Sequence, residues 1–101
     1  MANDTVYLQD MLEHIQLLEK FLQGVDKDVF FSEMEKQFAA ARALEIIGEA
    51  SSKLSEDFLS KHPEIAGFRD KAIHDYLDIT IDRVWEAATD DVAELKRELL
   101  K

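Results

Sequence analysis

Cysteine is absent from this chain of 101 residues. That excludes a disulfide scaffold, thiolate catalysis and any metal site built on sulfur, and it suits a reducing compartment. Proline occurs once and glycine three times, so few positions interrupt a helix. No apolar run approaches the ~20 residues that a membrane-spanning helix needs. The N-terminal Met1-Ala2-Asn3-Asp4 lacks the basic-then-apolar pattern of a secretory signal. Positive charge is also scarce: 12 Lys and Arg face 22 Asp and Glu, for a net charge of −10. Such a balance favours solubility and opposes non-specific attachment to nucleic acid or membrane. A cytoplasmic protein is expected.

The acidic excess is uneven. Residues 1–41 hold 8 acidic and 3 basic residues, residues 42–76 hold 7 and 5, and residues 77–101 hold 7 and 4. The middle third is therefore the least acidic. The length fits one domain spanning 1–101, near the usual domain size and able to bury a core without staples.

Periodicity predicts helices throughout. A first helix is expected from Asn3 or Asp4 to about Leu22, with Leu8, Met11, Leu12, Ile15, Leu18 and Leu22 on one face. Gly24 suits its end, and Val29-Phe30-Phe31 reads as an apolar loop over the core. Ser32-Glu33-Met34-Glu35 fits a capping box for a second long helix to about Leu54. Its predicted stripe is Met34, Phe38, Ala41, Leu44, Ile47 or Gly48, and Ser51, widened by Ala40, Ala43, Ile46 and Ala50. Small residues around Gly48 suggest a close helix–helix approach. Ser55 is expected to cap a short helix to about Lys61, ended by Pro63. Another short helix covers roughly Ile65 to Tyr76, and Leu77-Asp78-Ile79 serves as a connector. Thr80 caps a last helix to Leu100. The expected fold is an all-α antiparallel bundle of three long and one or two short helices.

Chemistry concentrates in Gly67-Phe68-Arg69-Asp70-Lys71-Ala72-Ile73-His74-Asp75-Tyr76. Within a helix, Asp70 and His74 are four apart and share a face, so the carboxylate can orient the imidazole and favour its charged form. Arg69 and His74 stand about 140° apart round the axis. Convergence with a second copy across a two-fold axis solves that divergence. Arg and His together suit RNA cleavage, in which the 2′-OH is the nucleophile. Imidazole serves as general base or acid, and guanidinium grips phosphate oxygens in bidentate fashion. Standing alone, Arg-x4-His more often reports a surface salt bridge than a site. The bland readings of the other candidates are an exposed His14, a helix-end His62, a core Trp85 and a solvated Glu45/Glu49 face that could also approach a cation or a partner's Arg69. The three His lack zinc spacing.

Longer blocks add to this. Ala43-Leu44-Glu45-Ile46-Ile47-Gly48-Glu49-Ala50, Lys53-Leu54-Ser55, Pro63-Glu64-Ile65, Arg69 to Tyr76, and Val84-Trp85-Glu86 occur in order. Over roughly Phe38 to Leu100 the chain resembles the HepT-like branch of the HEPN superfamily. The resemblance implies a homodimeric ribonuclease toxin that needs no metal and no cofactor. It implies Arg69 on the scissile phosphate, His74 as general acid or base, and Asp70 in support. It further implies a minimal nucleotidyltransferase antitoxin that transfers AMP to Tyr76. Two departures stand out: Asp70 replaces the Asn of many relatives, and only Ala66-Gly67-Phe68 separate Pro63-Glu64-Ile65 from Arg69. The alternatives are a non-catalytic helical nucleotide-binding or adaptor partner of a nucleotidyltransferase, and a structural dimerisation bundle.

Overall fold

The computed structural model describes residues 3–75 and 80–101, with the backbone alone at 74 and 75. The described chain is all-α. Helix α1 spans Asp4–Phe21, α2 Lys27–Ser32, α3 Met34–Ser52, α4 Glu56–Lys61 and α5 Pro63–Asp75. A final helical segment combines α6, Ile81–Glu86, a π-helical turn at Ala87–Asp91, and α7, Val92–Leu99.

Two caps and one turn form as their residues predict. The Ser55 hydroxyl accepts from the Phe58 N–H at 3.1 Å, and Thr80 Oγ1 accepts from the Arg83 N–H. Gly24 takes φ +72° in the turn after α1, a left-handed conformation that suits glycine. The α1 start differs: Asn3 makes no side-chain cap. Asp4 instead accepts from the Ser55 backbone N–H at 2.8 Å and from the Ser55 hydroxyl at 2.7 Å. The start of α1 thus meets the residue just beyond α3, and the two long helices run antiparallel.

The segment read as an apolar loop is helix α2. Phe30 is fully buried and tilts against Trp85 with ring centroids 5.1 Å apart. Burying that ring draws the segment onto the core, and its backbone polar groups are then satisfied by a helical turn capped by Asp26. This also removes the expected capping box. Ser32 closes α2 by donating to the Val29 carbonyl at 2.9 Å, and α3 begins after Glu33 with no side-chain cap. Gln37 ties the two helices by donating to the carbonyls of Phe30 and Phe31 at 3.0 and 3.1 Å.

The α3 face also turns from part of the expectation. Ala40, Ala43, Leu44, Ile47, Gly48, Ala50 and Ser51 point inward, whereas Met34 and Phe38 are 64% and 67% exposed. The two candidate stripes overlapped. The one that packs carries small residues, which let α1 and α5 approach closely. A Cβ built on Gly48 would stand 3.1 Å from the Ala72 Cβ of α5, as the small-residue pattern anticipated. The core joins Met11, Ile15 and Leu18 of α1 with Leu44 and Ile47 of α3, Ile65 and Phe68 of α5, and Val84, Val92 and Leu95 of the last segment. Full burial of one such side chain contributes about 1.5–3 kcal/mol. The predicted last helix is present, but it widens at Ala87–Asp91, where Thr89 donates its hydroxyl to the Trp85 carbonyl at 2.8 Å.

Candidate active site

Helix α5 carries the candidate site. Pro63 opens it with a φ already suited to a first helical turn, and Ile65, Phe68 and Ala72 face the core. That spacing sets Arg69 at the edge of the buried stripe, with its side chain 21% exposed. Its guanidinium is held on two sides. Nε and Nη2 both donate to Asp70 Oδ1, at 3.0 and 2.9 Å. Nη1 donates to Glu56 Oε1 of α4 at 3.2 Å. The hydrogen bond to Asp70 raises the Arg69 pKa above its ordinary value, partial desolvation opposes it, and Glu56 adds to the rise. The side chain is a fixed cation at every accessible pH.

Asp70 therefore pairs with Arg69 directly. The other expected partner of Asp70, the His74 imidazole, lies outside the described residues. The His74 backbone stands in the last turn of α5, five positions beyond Arg69. Tyr76 and the Leu77-Asp78-Ile79 connector also lie outside the described residues.

The lesser candidates resolve. His14 is half-buried rather than exposed, with Nδ1 2.8 Å from the Asp10 carbonyl oxygen. His62 ends α4 and stacks on Phe58 at 4.2 Å. Glu45 and Glu49 form a solvated face, paired locally to Arg42 at 3.1 Å and to Lys53, the residue that ends α3, at 3.8 Å. Trp85 packs against the core beside Phe30. Among the described residues no group of three or more His, Cys, Asp or Glu could hold a metal ion, and no helix is long and apolar enough to cross a membrane.

Two contacts made by α5 had no signal in residue spacing. Glu56 reaches Arg69 only because the chain reverses at His62-Pro63. Asp91, carried by the π turn and 10% exposed, receives Lys71 Nζ at 3.2 Å and Arg83 Nη2 at 2.9 Å. It thereby joins the last helical segment to α5, three residues before His74. A cleft of about 260 Å³ runs between α3 and α5, lined by Glu45, Gly48, Glu49, Ser52, Ala72 and Ile73 among others.

A family model for HepT-like ribonucleases matches residues 11–101. The chain belongs to the HepT-like ribonuclease family. Relatives of this HepT-like chain include "Probable ribonuclease HepT" of Thermococcus cleftensis, 41% identical over 95 residues, covering 89% of this chain and 86% of the relative. Another is "Putative RNase MJ1216" of Methanocaldococcus jannaschii, 35% identical over 100 residues, covering 94% of this chain and 83% of the relative. A third, "Putative RNase TTE0752" of Caldanaerobacter subterraneus, is 34% identical over 104 residues, covering 98% of this chain and 93% of the relative. No solved structure matches the HepT-like chain.

Proposed function

We propose that this chain is a metal-independent endoribonuclease, the toxin of a toxin–antitoxin pair, acting in the cytoplasm as a homodimer. Membership of the HepT-like ribonuclease family over residues 11–101 carries the reading. The chemistry assigned to the residues is simple. Arg69 holds the scissile phosphate and neutralises charge as the phosphorane forms. The 2′-oxygen attacks phosphorus, and the bond to the 5′-oxygen breaks. His74 of one protomer takes the 2′-OH proton as base, and its counterpart supplies a proton to the leaving oxygen as acid. The product is a 2′,3′-cyclic phosphate and a 5′-hydroxyl.

Two observations favour a shared site. Arg69 and His74 diverge by about 140° on α5, so one copy alone converges poorly. Along α3, Met34, Phe38, Glu45, Glu49 and Ser52 recur on one helical face, and Ile73 of α5 borders the same cleft. Met34, Phe38 and Ile73 are 64%, 67% and 45% exposed. These exposed apolar side chains on α3 and α5 support the reading of an association surface there.

Regulation is assigned to Tyr76. A nucleotidyltransferase antitoxin would direct its phenol oxygen at the α-phosphorus of ATP. The O–P bond forms, the α–β anhydride bond breaks, pyrophosphate leaves, and the phenol proton passes to a base. The resulting AMP places anionic phosphate two residues from His74 and excludes RNA.

Purified protein is expected to cleave single-stranded RNA in EDTA, with activity lost in His74→Ala. Equal cleavage by both proteins excludes the assignment. A second reading, a non-catalytic adaptor of the nucleotidyltransferase, draws on the occupation of Arg69 by Asp70 and Glu56. Expression without the antitoxin separates the two. The ribonuclease arrests growth and Arg69→Ala relieves it, whereas the adaptor does neither.

A further inference from the structure

Glu56 is the first residue of α4, and its position is set from both sides. Before it, Ser55 is bound through backbone and hydroxyl by Asp4. After it, α4 ends at His62-Pro63 and the chain returns as α5. The Glu56 carboxylate consequently meets a cation 13 residues further along the chain.

The two carboxylates on Arg69 occupy different edges of the guanidinium. Asp70 takes the lateral edge, Nε and Nη2. Glu56 takes Nη1, and so blocks the terminal edge formed by Nη1 and Nη2. Either edge of a guanidinium can accommodate two oxygens of a phosphate. The holds differ in strength. Asp70 is the adjacent residue and receives two hydrogen bonds on one oxygen. Glu56 receives one, its side chain is 87% exposed, and a long exposed side chain loses rotamer entropy when it is held. Glu56 is therefore the partner that yields first, and its departure opens the terminal edge while Asp70 keeps the guanidinium oriented.

We infer that Glu56 is an affinity-setting competitor at the phosphate site: its carboxylate covers the terminal edge of Arg69, and a nucleic-acid phosphate binds there by displacing it. The inference rests on the reading of Arg69 as the phosphate-binding residue. It gives the acidic chain a specific means of weakening nucleic-acid binding, beyond its general charge. A lone phosphate gains only the contact that Glu56 gives up, whereas a strand that makes further contacts can shift the exchange.

The test uses the full chain and a single-stranded oligothymidylate. This DNA lacks the 2′-OH and so binds without being cut. Affinity is measured by fluorescence anisotropy, and contact with Arg69 by its Nε–Hε resonance, assigned with Arg69→Lys. Glu56→Gln removes the competing charge at nearly constant size. Asp57→Asn removes the same charge one residue away, where the carboxylate pairs with Lys61 instead. Glu56→Gln is expected to tighten binding about two- to fivefold, the range an exposed ion pair commands, and to enlarge the shift of the Arg69 resonance. Asp57→Asn is expected to leave both near wild type. Equal affinity of wild type and Glu56→Gln, or the same gain in Asp57→Asn, overturns the inference. A protein that cuts no RNA yet shows the Glu56-specific gain loses the ribonuclease reading and keeps this one. No response of the Arg69 resonance in any of the proteins overturns the inference and the phosphate-binding role together.

Discussion

Gly48 of α3 lies so close to Ala72 of α5 that a Cβ on the glycine would sit 3.1 Å from the Ala72 Cβ. A methyl fixed to a helix backbone cannot turn away, so any larger side chain at 48 must push α5 outward. Ala72 is three residues beyond Arg69 and two before His74. Spacing between these helices thus sets where the candidate site stands relative to the α3 face.

That contact gives the first prediction. Gly48→Val is expected to destabilise the fold by about 2 kcal/mol, within the range for overpacked cores. The corresponding fall in Tm is roughly 8–16 °C for a domain of this size. Gly48→Ala should cost less, because the better helix propensity of Ala, about 1 kcal/mol, offsets part of the crowding. Thermal unfolding followed by circular dichroism measures both, and Ala72→Gly should restore part of the loss in the Gly48→Val chain.

Arg69→Lys tests whether the shape of the cation matters. The charge is kept and the fork is lost. RNA cleavage is expected to fall about 10²-fold in kcat/KM, the scale of removing one preorganised donor, while Tm changes little because the pairs it breaks are exposed. Steady-state kinetics and a melting curve separate the two effects. Cleavage at wild-type rate would remove Arg69 from the chemistry.

The pH profile follows from the same residue. The pKa of Arg69 is raised further above its ordinary value, so the stabilisation from its pairs is present at all lower pH and is lost only as pH climbs through that raised value, far into the alkaline range. Arg69 therefore adds no inflection near neutrality. Any step in log kcat/KM between about pH 5 and 8 is expected to belong to imidazole, whose ordinary pKa is about 6.5.

Phe38→Glu addresses assembly. The ring is 67% exposed, so the folded protomer should lose at most about 0.5 kcal/mol, as surface changes do. A charge introduced at the proposed interface is expected to convert the dimer to monomer in sedimentation and to abolish cleavage with it. A variant that stays dimeric and active places the association surface elsewhere.

Tyr76→Phe separates activity from control. The variant is expected to cleave RNA like wild type and to gain no AMP mass increment when co-expressed with the nucleotidyltransferase. Labelling at wild-type level would move the acceptor to another residue.

Much of the fold was legible because its signals are local. Ser55 and Thr80 cap helices through neighbours three residues away, Gly24 turns the chain through its own φ, and Gly48 implies a close approach through the missing side chain. What could not be read depends on residues distant in sequence. Phe30 is held by Trp85, and that contact turns an apparent loop into α2 and takes Ser32 from its expected capping role. Met34 and Phe38 fit a helical stripe as well as Ala40 and Ala43 do, and only the neighbouring helices decide which stripe is buried. At the site, the type and position of Arg69 were plain, and Asp70 lay beside it. The hold of Glu56 depends on the reversal between α4 and α5, and that of Asp91 on the π turn, neither of which has a spacing rule.

The widened turn at Ala87–Asp91 gives the C-terminal third a fixed rotational phase. One residue removed from it would turn everything downstream by about 100° relative to everything upstream. Such a deletion would restore a regular ladder of hydrogen bonds and still be harmful. Val92 and Leu95 would swing off the core, or Val84 and Ala88 would. Asp91 could not keep both Lys71 and Arg83. The length of this segment is therefore set by agreement between two packed flanks, and insertions or deletions here should be tolerated far less than the half-buried Thr89 and the exposed Asp90 alone would suggest.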